Sequence, residues 1–592
     1  MVQSKHVVWL CFVIFFISSF FYYPKWNKLY TEATIGWDVS GYYWYLPATF
    51  IYKDLKKQEF GEIILRKYGP TPEIQQSFDH RSGNKVMKYS MGMALQYLPF
   101  FLVAHLLASP LGFEADGFSL PYQFAIQFGS LLICFIGIWF LRKILLHYFS
   151  DKVTAITLLT VCLATNYLNF GSIDHAQSHN YLFMWYTLLI YHTIKFYERP
   201  SLRPSIWIGV IIGMCALTRP TEIISVLIPL AWGLNSLSLD TIRERIQLLF
   251  THWRYLFIAA CCTVVLGMLQ LIYYKYAGNE WLIYSYQDQT FSWLKPHFKN
   301  YLVSFQSGWL TYTPVWFLAF IGIFTISKDN IGWVAIVLFT LINVYIVCSW
   351  DVWWIGGRAM VQSYPIMAFL LASVIDKSLQ KSYLRYVLYA FLALCTYYNL
   401  WWTHQAHRGG LIVAGSMTKA YFYQVVGRNT VSEEVKKLLD TDELFDGKRQ
   451  EARTLFQENF NSDSTAIKEG RKVNGSPAIF LDAQRQNSPE FEIPIRNNDA
   501  AWLRASATFH CTQKEWDTWK MTQIVVKFYN QNNVVKARII RLHRFLNDGD
   551  TKEIYMDVMV PNETFSKATL SFWNGTSPKE IWIDDIRIES FN

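Results

Sequence analysis

A single carboxylate, Asp38, stands in the stretch GWDVSGYYWYLPATF with Trp37, Tyr42, Tyr43, Trp44 and Tyr45 around it. An acid shielded from water by aromatic rings has its charged form disfavoured, so its pKa is expected to rise. A carboxylate tuned in that direction is suited to taking a proton from a hydroxyl. The competing reading is local, because Asp ahead of a helical run such as GYYWYLPATFIY commonly caps the helix. A second acid, Asp174, lies in NFGSIDHAQSHNYLFMW beside His175 and His179. The histidines are four apart and would share a helix face, as two metal ligands require. Loop histidines of this kind are common, however, and no metal site is expected. Asp38 and Asp174 are the catalytic candidates.

Cations and aromatic residues supply the binding candidates. Arg219 and Glu222, in MCALTRPTEIISVLIPL, fall within an apolar run broken by Pro220. A charge at the centre of a bilayer costs about 2.5–3.5 kcal/mol, so either the two pair or Arg219 lines a polar cavity. The stretch WDVWWIGGRAMVQSYPIMAF carries Asp351, Trp354, Gly356, Gly357 and Arg358. Glycines let a backbone approach a ligand closely, and a guanidinium grips phosphate through two parallel hydrogen bonds. An interfacial tryptophan belt would explain Trp350, Trp353 and Trp354, but not the Gly-Gly-Arg that follows. Finally, NEWLIYSYQDQTFSWLKPHF offers Tyr286 and Asp288, either as a wall for a sugar ring or on a helix lying along a membrane.

The elements that carry these residues are apolar. Of 592 residues, 52% are hydrophobic and only 17% charged, against roughly 25% charged in average soluble proteins. Runs of about 20 apolar residues, enough to cross a hydrocarbon core, recur through the first two-thirds of the chain. Candidate spans are 6–23, 120–141, 154–171, 180–196, 205–218, 221–234, 255–276, 309–326, 331–349, 360–376 and 383–402. The segment 89–109 is long enough to span, but counting it reverses every later loop. Leaving it out puts Lys5, Arg142, Lys143, Lys195, Arg243 and Lys377 on one side, and short basic loops mark the cytoplasm. About eleven spans follow, with the N-terminus cytoplasmic and the candidate site on the outer face. The N-terminal apolar stretch lacks a small-x-small cleavage site and reads as a retained first helix. The net charge of +9 includes no dense basic run, so nucleic acid is not an expected partner. Nine cysteines, eight of them in apolar segments, form no CxxC or ligand spacing, which argues against a disulfide scaffold or zinc.

Three regions are expected: a membrane domain over 1–402 with a first outer loop at 24–119, a linker with surface helices over 403–475, and a β domain over 476–592. In the last, short alternating segments such as WLRASATFH, TQIVVKFYN and EIWIDDIRIES are separated by NQNN, NDGD and NGTSP. That pattern reads as an antiparallel β-sandwich.

The motifs GWDVSGYYWYLPA, KYSMGMALQYLPFF, ALTRPTE, SYQDQTFSWLKP with GWLTYTP, and WDVWWIGGRAMVQSYPIMAF together resemble the GT-C membrane glycosyltransferases that use polyprenyl-phosphate-linked sugars. Protein O-mannosyltransferases and aminoarabinose transferases are of this kind. The resemblance covers roughly residues 6–410 and implies an inverting transferase working at the outer face of a bilayer. Its donor would be a sugar on a polyprenyl phosphate, and its acceptor a glycan, lipid or protein. It implies a catalytic acid at Asp38, a looser assisting role for Asp174, and Arg358 near the lipid phosphate. Arg219, Tyr42, Tyr43, Lys88, Tyr286, Asp288, Asp351 and Trp354 join Arg358 as substrate-binding candidates. The family commonly has Glu beside the first-loop Asp, whereas Val39 follows here. No cofactor is expected, although relatives differ in their use of a divalent ion. The C-terminal sandwich resembles carbohydrate-binding modules, a shape that hosts many functions. A bacterial inner-membrane protein with a periplasmic site is the implied setting. The rival readings are a lipid-linked sugar flippase, which would show repeated halves, and a non-enzymatic sugar-binding protein of the cell envelope.

Overall fold

The computed structural model describes residues 3–327, 331–351, 355–461, 472–473, 475–497, 499–512 and 521–592. Two compact units result, Met1–Gly415 and Ser416–Asn592.

The first unit is helical. Helices Ser4–Ile17, Leu120–Leu146, Asp151–Leu163 and Ser178–Glu198 share a core with Tyr364–Leu379, built from residues such as Phe15, Ile138, Leu158, Leu189 and Phe369. Among the described residues, four segments are long and apolar enough to cross a bilayer: Ser4–Asn27, Leu120–Leu146, Trp253–Gly278 and Ile355–Leu379. Five shorter apolar helices accompany them, including Gly92–Ala108, Leu202–Thr218 and Trp333–Ser349. The expected eleven continuous spans are therefore not reproduced, because several apolar runs are interrupted. Helix Leu202–Thr218 stops before Pro220, and the chain continues as a 3-10 turn over Pro220–Val226 and a short helix over Leu227–Ala231. The run at 309–326 breaks similarly at Pro314. Proline removes an amide donor and pushes the preceding residue out of the helical region.

The first loop is folded. Short helices Asp38–Tyr43 and Tyr45–Phe50 pack with the helix Gly92–Ala108. Trp44, Phe60, Val86, Tyr97 and Phe101 form a second core beneath them. A small hairpin, β1 (Ser77–Asp79) and β2 (Lys85–Met87), projects from this core.

The second unit holds the β domain. Its strands are β3 (Arg453–Glu458), β4 (Lys472–Val473), β5 (Ser476–Pro477), β6 (Ile479–Leu481), β7 (Phe491–Ile493), β8 (Trp502–Cys511), β9 (Gln523–Asn530), β10 (Asn533–Arg541), β11 (Thr551–Met559), β12 (Lys567–Trp573) and β13 (Ile581–Phe591). One sheet runs β10-β9-β12-β7 and the other β11-β8-β13-β3, with β6 also on β13. All pairings are antiparallel. Phe528 and Leu570 from the first sheet meet Phe509 and Ile583 from the second in a single core, which makes a sandwich. The stretch expected as a linker divides instead. Residues up to Gly415 belong to the first unit, and β3 adds a strand that the alternating pattern from 476 onward does not include. Asp440, whose side chain is fully buried, accepts hydrogen bonds from Arg541 and Arg544 and fastens the segment before β3 to the sandwich.

Candidate functional site

Asp38 opens its helix without capping it. Trp37, at the N-cap, has a left-handed φ of 48° and makes no side-chain cap. The Asp38 carboxylate turns elsewhere: Oδ1 accepts from the Tyr89 hydroxyl at 2.9 Å, and Oδ2 from Arg358 Nη2 at 2.8 Å. Gly41 makes this possible. A Cβ there would lie 2.3 Å from the Tyr89 ring, so only glycine lets that ring cross the helix and reach the acid. The expected rise in the Asp38 pKa is not found. Burial opposes ionisation, but the Arg358 charge, the Tyr89 hydrogen bond and Lys88 outweigh it and hold the carboxyl below its ordinary value. The aromatic shelf removes water, and the cations behind it reverse the sign. Burial, followed by the charge of Asp38, pushes the Tyr89 phenol well up, so it stays a protonated donor.

Arg358 comes from a 3-10 segment, Ile355–Ser363, in which Gly356 and Gly357 are left-handed with φ of 73° and 63°. The glycine pair serves a close approach to protein rather than to a ligand. A Cβ on Gly357 would lie 2.4 Å from Trp309, and the Gly356 carbonyl accepts from Asn166 Nδ2 at 2.6 Å. The tight turn aims Arg358 back at the first loop, and Nη1 also donates to Gln177 Oε1 at 3.2 Å, just ahead of helix Ser178–Glu198.

Arg219 is the extended residue between helix Leu202–Thr218 and Pro220. It does not pair with Glu222. That carboxylate accepts from the Tyr186 hydroxyl at 2.7 Å and from Gln362 Nε2 at 3.1 Å. Gln362 therefore presents its oxygen to His179 Nδ1, 2.9 Å away, and that nitrogen must carry the proton. The Arg219 guanidinium lies 3.4 Å from the same nitrogen, where donor meets donor. Arg219 thus has no anionic partner among the described residues, and its charge acts on Tyr42 and Tyr286. Lys88 is similar. Its Nζ has no carboxylate partner among the described residues, and it stands 5.8 Å and 6.0 Å from the Tyr89 and Tyr286 ring centroids.

Tyr42 and Tyr286 both pack edge-on to Tyr89, at centroid separations of 4.7 Å and 6.1 Å. The structure therefore brings together Asp38, Arg358, Arg219, Lys88, Tyr42 and Tyr286. Other candidates lie apart. Tyr43 is fully buried in the first-loop core, donating to the Gly117 carbonyl at 2.6 Å. Asp351 accepts from Thr290 at 2.7 Å and Ser292 at 2.6 Å and lies 3.0 Å from His297, pinning the 284–297 loop. Asp288 is exposed, and Trp354 lies outside the described residues. Asp174 forms its own cluster, an ion pair with Lys25 at 2.8 Å and a bond from Asn169 at 3.1 Å. Burial opposes its ionisation, but Lys25, His407 and Asn169 hold it well below the carboxylate range. His175 lies 2.8 Å from the Gln127 carbonyl while His179 faces Gln362. Among the described residues, no group of three His, Cys, Asp or Glu side chains could hold a metal ion.

Sequence reasoning missed Tyr89, Gln177 and Gln362. Tyr89 was within reach, as the neighbour of Lys88 in the motif KYSMGMALQYLPFF. The two glutamines carry no signal short of the fold.

No family model matches the chain, and no curated protein does. Among solved structures, it is similar to the arabinosyltransferase EmbB of Mycobacterium smegmatis, with 10% identity and a TM-score of 0.32. The match covers 85% of this chain and 60% of that one. It is also similar to a family 16 carbohydrate-binding module, at 14% identity and a TM-score of 0.17, over 20% of this chain and 80% of that one. A CBM22-2 xylan-binding domain from Paenibacillus barcinonensis Xyn10C matches at 15% identity and a TM-score of 0.18, over 23% of this chain and 99% of that one. Scores this low do not fix a fold.

Proposed function

We propose that the chain is a membrane-bound, inverting glycosyltransferase that moves a sugar from a polyprenyl-phosphate carrier to an acceptor hydroxyl. The observation that carries this reading is one carboxylate, Asp38, joined at 2.8 Å to Arg358 and flanked by two further cations, Arg219 and Lys88, without anionic partners among the described residues. Arg358 is already paired with Asp38, so Arg219 and Lys88 are the cations left to meet an incoming phosphate, with the Glu222 carboxylate engaged by Tyr186 and Gln362 on the far side of His179. A sugar phosphodiester brings one negative charge, and the departing lipid monophosphate carries nearly two at neutral pH. Charge that grows on the leaving phosphate therefore meets cations already in place, which is the condition for lowering a barrier rather than only binding.

In the proposed step, the acceptor oxygen attacks the anomeric carbon and its proton passes to Asp38. The bond from that carbon to the phosphate oxygen breaks, and its electron pair stays on the phosphate. Inversion follows from the single displacement. A depressed pKa makes the resting Asp38 a weak base. A donor phosphate competes for Arg358, and partial loss of that counter-charge raises the carboxylate's basicity as substrate arrives.

The experiment is Asp38→Asn in reconstituted membranes supplied with lipid-linked sugar. Transfer is abolished while the variant stays folded and still binds the carrier phosphate. Transfer near the wild-type rate ends the assignment.

A further inference from the structure

A second polar chamber adjoins the Asp38 cleft. A cavity of about 420 Å³ opens beside the first-loop hairpin, lined by Gln75, Ser77, Phe78, Lys85, Lys88 and Gln287 among others. Its size falls in the ~300–1,000 Å³ range of small-molecule clefts. Two pairs of consecutive residues divide it from the cleft. Lys88 lines the cavity while its neighbour Tyr89 holds Asp38. Gln287 lines the cavity while its neighbour Tyr286 packs against the Tyr89 ring. The lining is also tied to the acid's helix, since Gln76 Nε2 donates to Ser40 Oγ at 2.9 Å.

The chemistry of the lining is distinctive. Amides from Gln75 and Gln287 offer donors and acceptors in neutral form. Phe78 is half-buried, while Lys85 is neutralised by Asp79 at 2.9 Å. Such a lining suits a hydroxyl-rich ring and offers no apolar channel for a prenyl chain.

We propose that this cavity is the acceptor subsite and takes a glycan, whose reactive hydroxyl passes between Lys88 and Tyr89 to Asp38. The inference rests on the transferase reading above. The two oxygens of Asp38 support it: Oδ2 meets Arg358, the proposed phosphate cation, and Oδ1 meets Tyr89, the cavity wall. A displacement with inversion needs the nucleophile and the leaving phosphate on opposite sides of the anomeric carbon; in the proposal the acceptor enters from the Tyr89 side and the phosphate is held from the Arg358 side.

The test is photolabelling of the full-length protein in nanodiscs with diazirine-tagged mono- to tetrasaccharides, covering neutral hexoses, pentoses and uronic acids. Adducts are mapped by peptide mass spectrometry. Adducts are expected on the peptides containing residues 74–88 and 285–290. In Gln75→Trp, which fills the cavity, their yield falls about tenfold or more because the binding surface is lost, and Gln287→Ala lowers it less. Undecaprenyl phosphate binding, measured in parallel, stays unchanged in both variants and so reports folding. Arg358→Ala loses that lipid binding and keeps the sugar adducts. Adducts confined to the C-terminal sandwich, adducts that persist in Gln75→Trp, or a wild-type protein unlabelled by every sugar in the set would each overturn the proposal. Labelling needs no turnover, so adducts at the cavity in a protein that never transfers sugar would discard the transferase reading and leave the glycan site standing.

Discussion

Replacing Arg358 by glutamine removes the cation 2.8 Å from Asp38 while keeping an amide that can meet Gln177. Both partners are about a quarter exposed, 28% for Arg358 and 26% for Asp38, so an effective dielectric near 20 is appropriate. Two unit charges ~4 Å apart then attract by about 4 kcal/mol. Part of that attraction offsets the burial of Asp38, which opposes ionisation. With Arg358 gone, burial faces only Tyr89 and Lys88, and the Asp38 pKa moves up.

Two signatures follow for Arg358→Gln. The departing phosphate loses one of its stabilising charges, which by analogy with oxyanion-hole donors costs about 2.7–4 kcal/mol, or 10²–10³ in kcat/KM. The acid limb of the kcat/KM profile, which reports the free enzyme's base, also shifts. In the wild-type protein Asp38 is held below the ordinary carboxylate value, so the base form survives until the pH falls beneath that range. In the variant the limb appears at higher pH. The assay is release of polyprenyl phosphate from lipid-linked sugar in proteoliposomes, followed against pH. The double variant Asp38→Asn/Arg358→Gln should be no slower than Asp38→Asn alone, since the two residues act on one step. A kcat/KM within tenfold of wild type together with an unmoved acid limb would refute the reasoning, because Arg358 would then touch neither base nor donor.

Three further outcomes follow from the geometry. Tyr89→Phe removes a hydrogen bond to a charged carboxylate, worth about 1.5–3 kcal/mol, and should move the acid limb of the profile to higher pH and raise donor hydrolysis relative to transfer; Gly41→Ala, which drives a Cβ into the Tyr89 ring, should have the same effect without removing any polar group. Lys25→Met strands the Asp174 carboxylate, and with both side chains mostly buried at 20% and 17% exposure the loss is roughly 3 kcal/mol, the low end for a broken buried pair. Because Asp174 titrates below its ordinary value, its stabilising contribution is present above the unfolded carboxylate pKa near ~4 and fades as pH falls through the lower folded value. A melting midpoint that drops in Lys25→Met at pH 7, with transfer per folded molecule preserved, is the expected result. Asp440→Asn removes the charge shared by Arg541 and Arg544 and sets an NH2 against their donors, and should cost the second unit about 3–5 kcal/mol, read as faster limited proteolysis within residues 416–592 of the full chain.

The sequence pointed to some of the residues that the fold brings together, and less well to their electrostatics. Asp38 and Arg358, 320 residues apart, were legible because each is a charge that an apolar context does not otherwise explain. What the rings around Asp38 do was misjudged, since the sign of a pKa shift depends on which charge lies behind the shelf, and Arg358 gets there through a turn that only the folded backbone defines. For Arg219 and Glu222 the sequence left open whether they pair or Arg219 lines a polar cavity. The 3-10 turn after Pro220 separates them, and Gln362, 140 residues from Glu222, takes the acid instead. The four long apolar segments among the described residues do not confirm the expected count of about eleven spans, for a related reason. Hydropathy averages over a window and does not see the breaks at Pro220 and Pro314. The β domain was legible in its period-two strands, whereas β3 has no run of alternation long enough to stand out and joins only through its pairing with β13.

The resting Asp38–Arg358 pair has a consequence for the proposed chemistry. A free, well-placed base beside a lipid-linked sugar would activate water as readily as an acceptor, and the donor would be hydrolysed. Here the base is ionised but engaged, with both oxygens occupied by Tyr89 and Arg358. Donor phosphate can draw Arg358 away from Oδ2, because a charge-assisted bond to phosphate replaces the one it loses. Tyr89 still holds Oδ1, on the side of the chamber proposed for the acceptor. A glycan entering past Lys88 can displace that phenol with its own hydroxyl, whereas a single water lacks the further contacts that would fix it in the cavity. On this reading each substrate frees one oxygen of the same carboxylate, and the base acts only when both are bound.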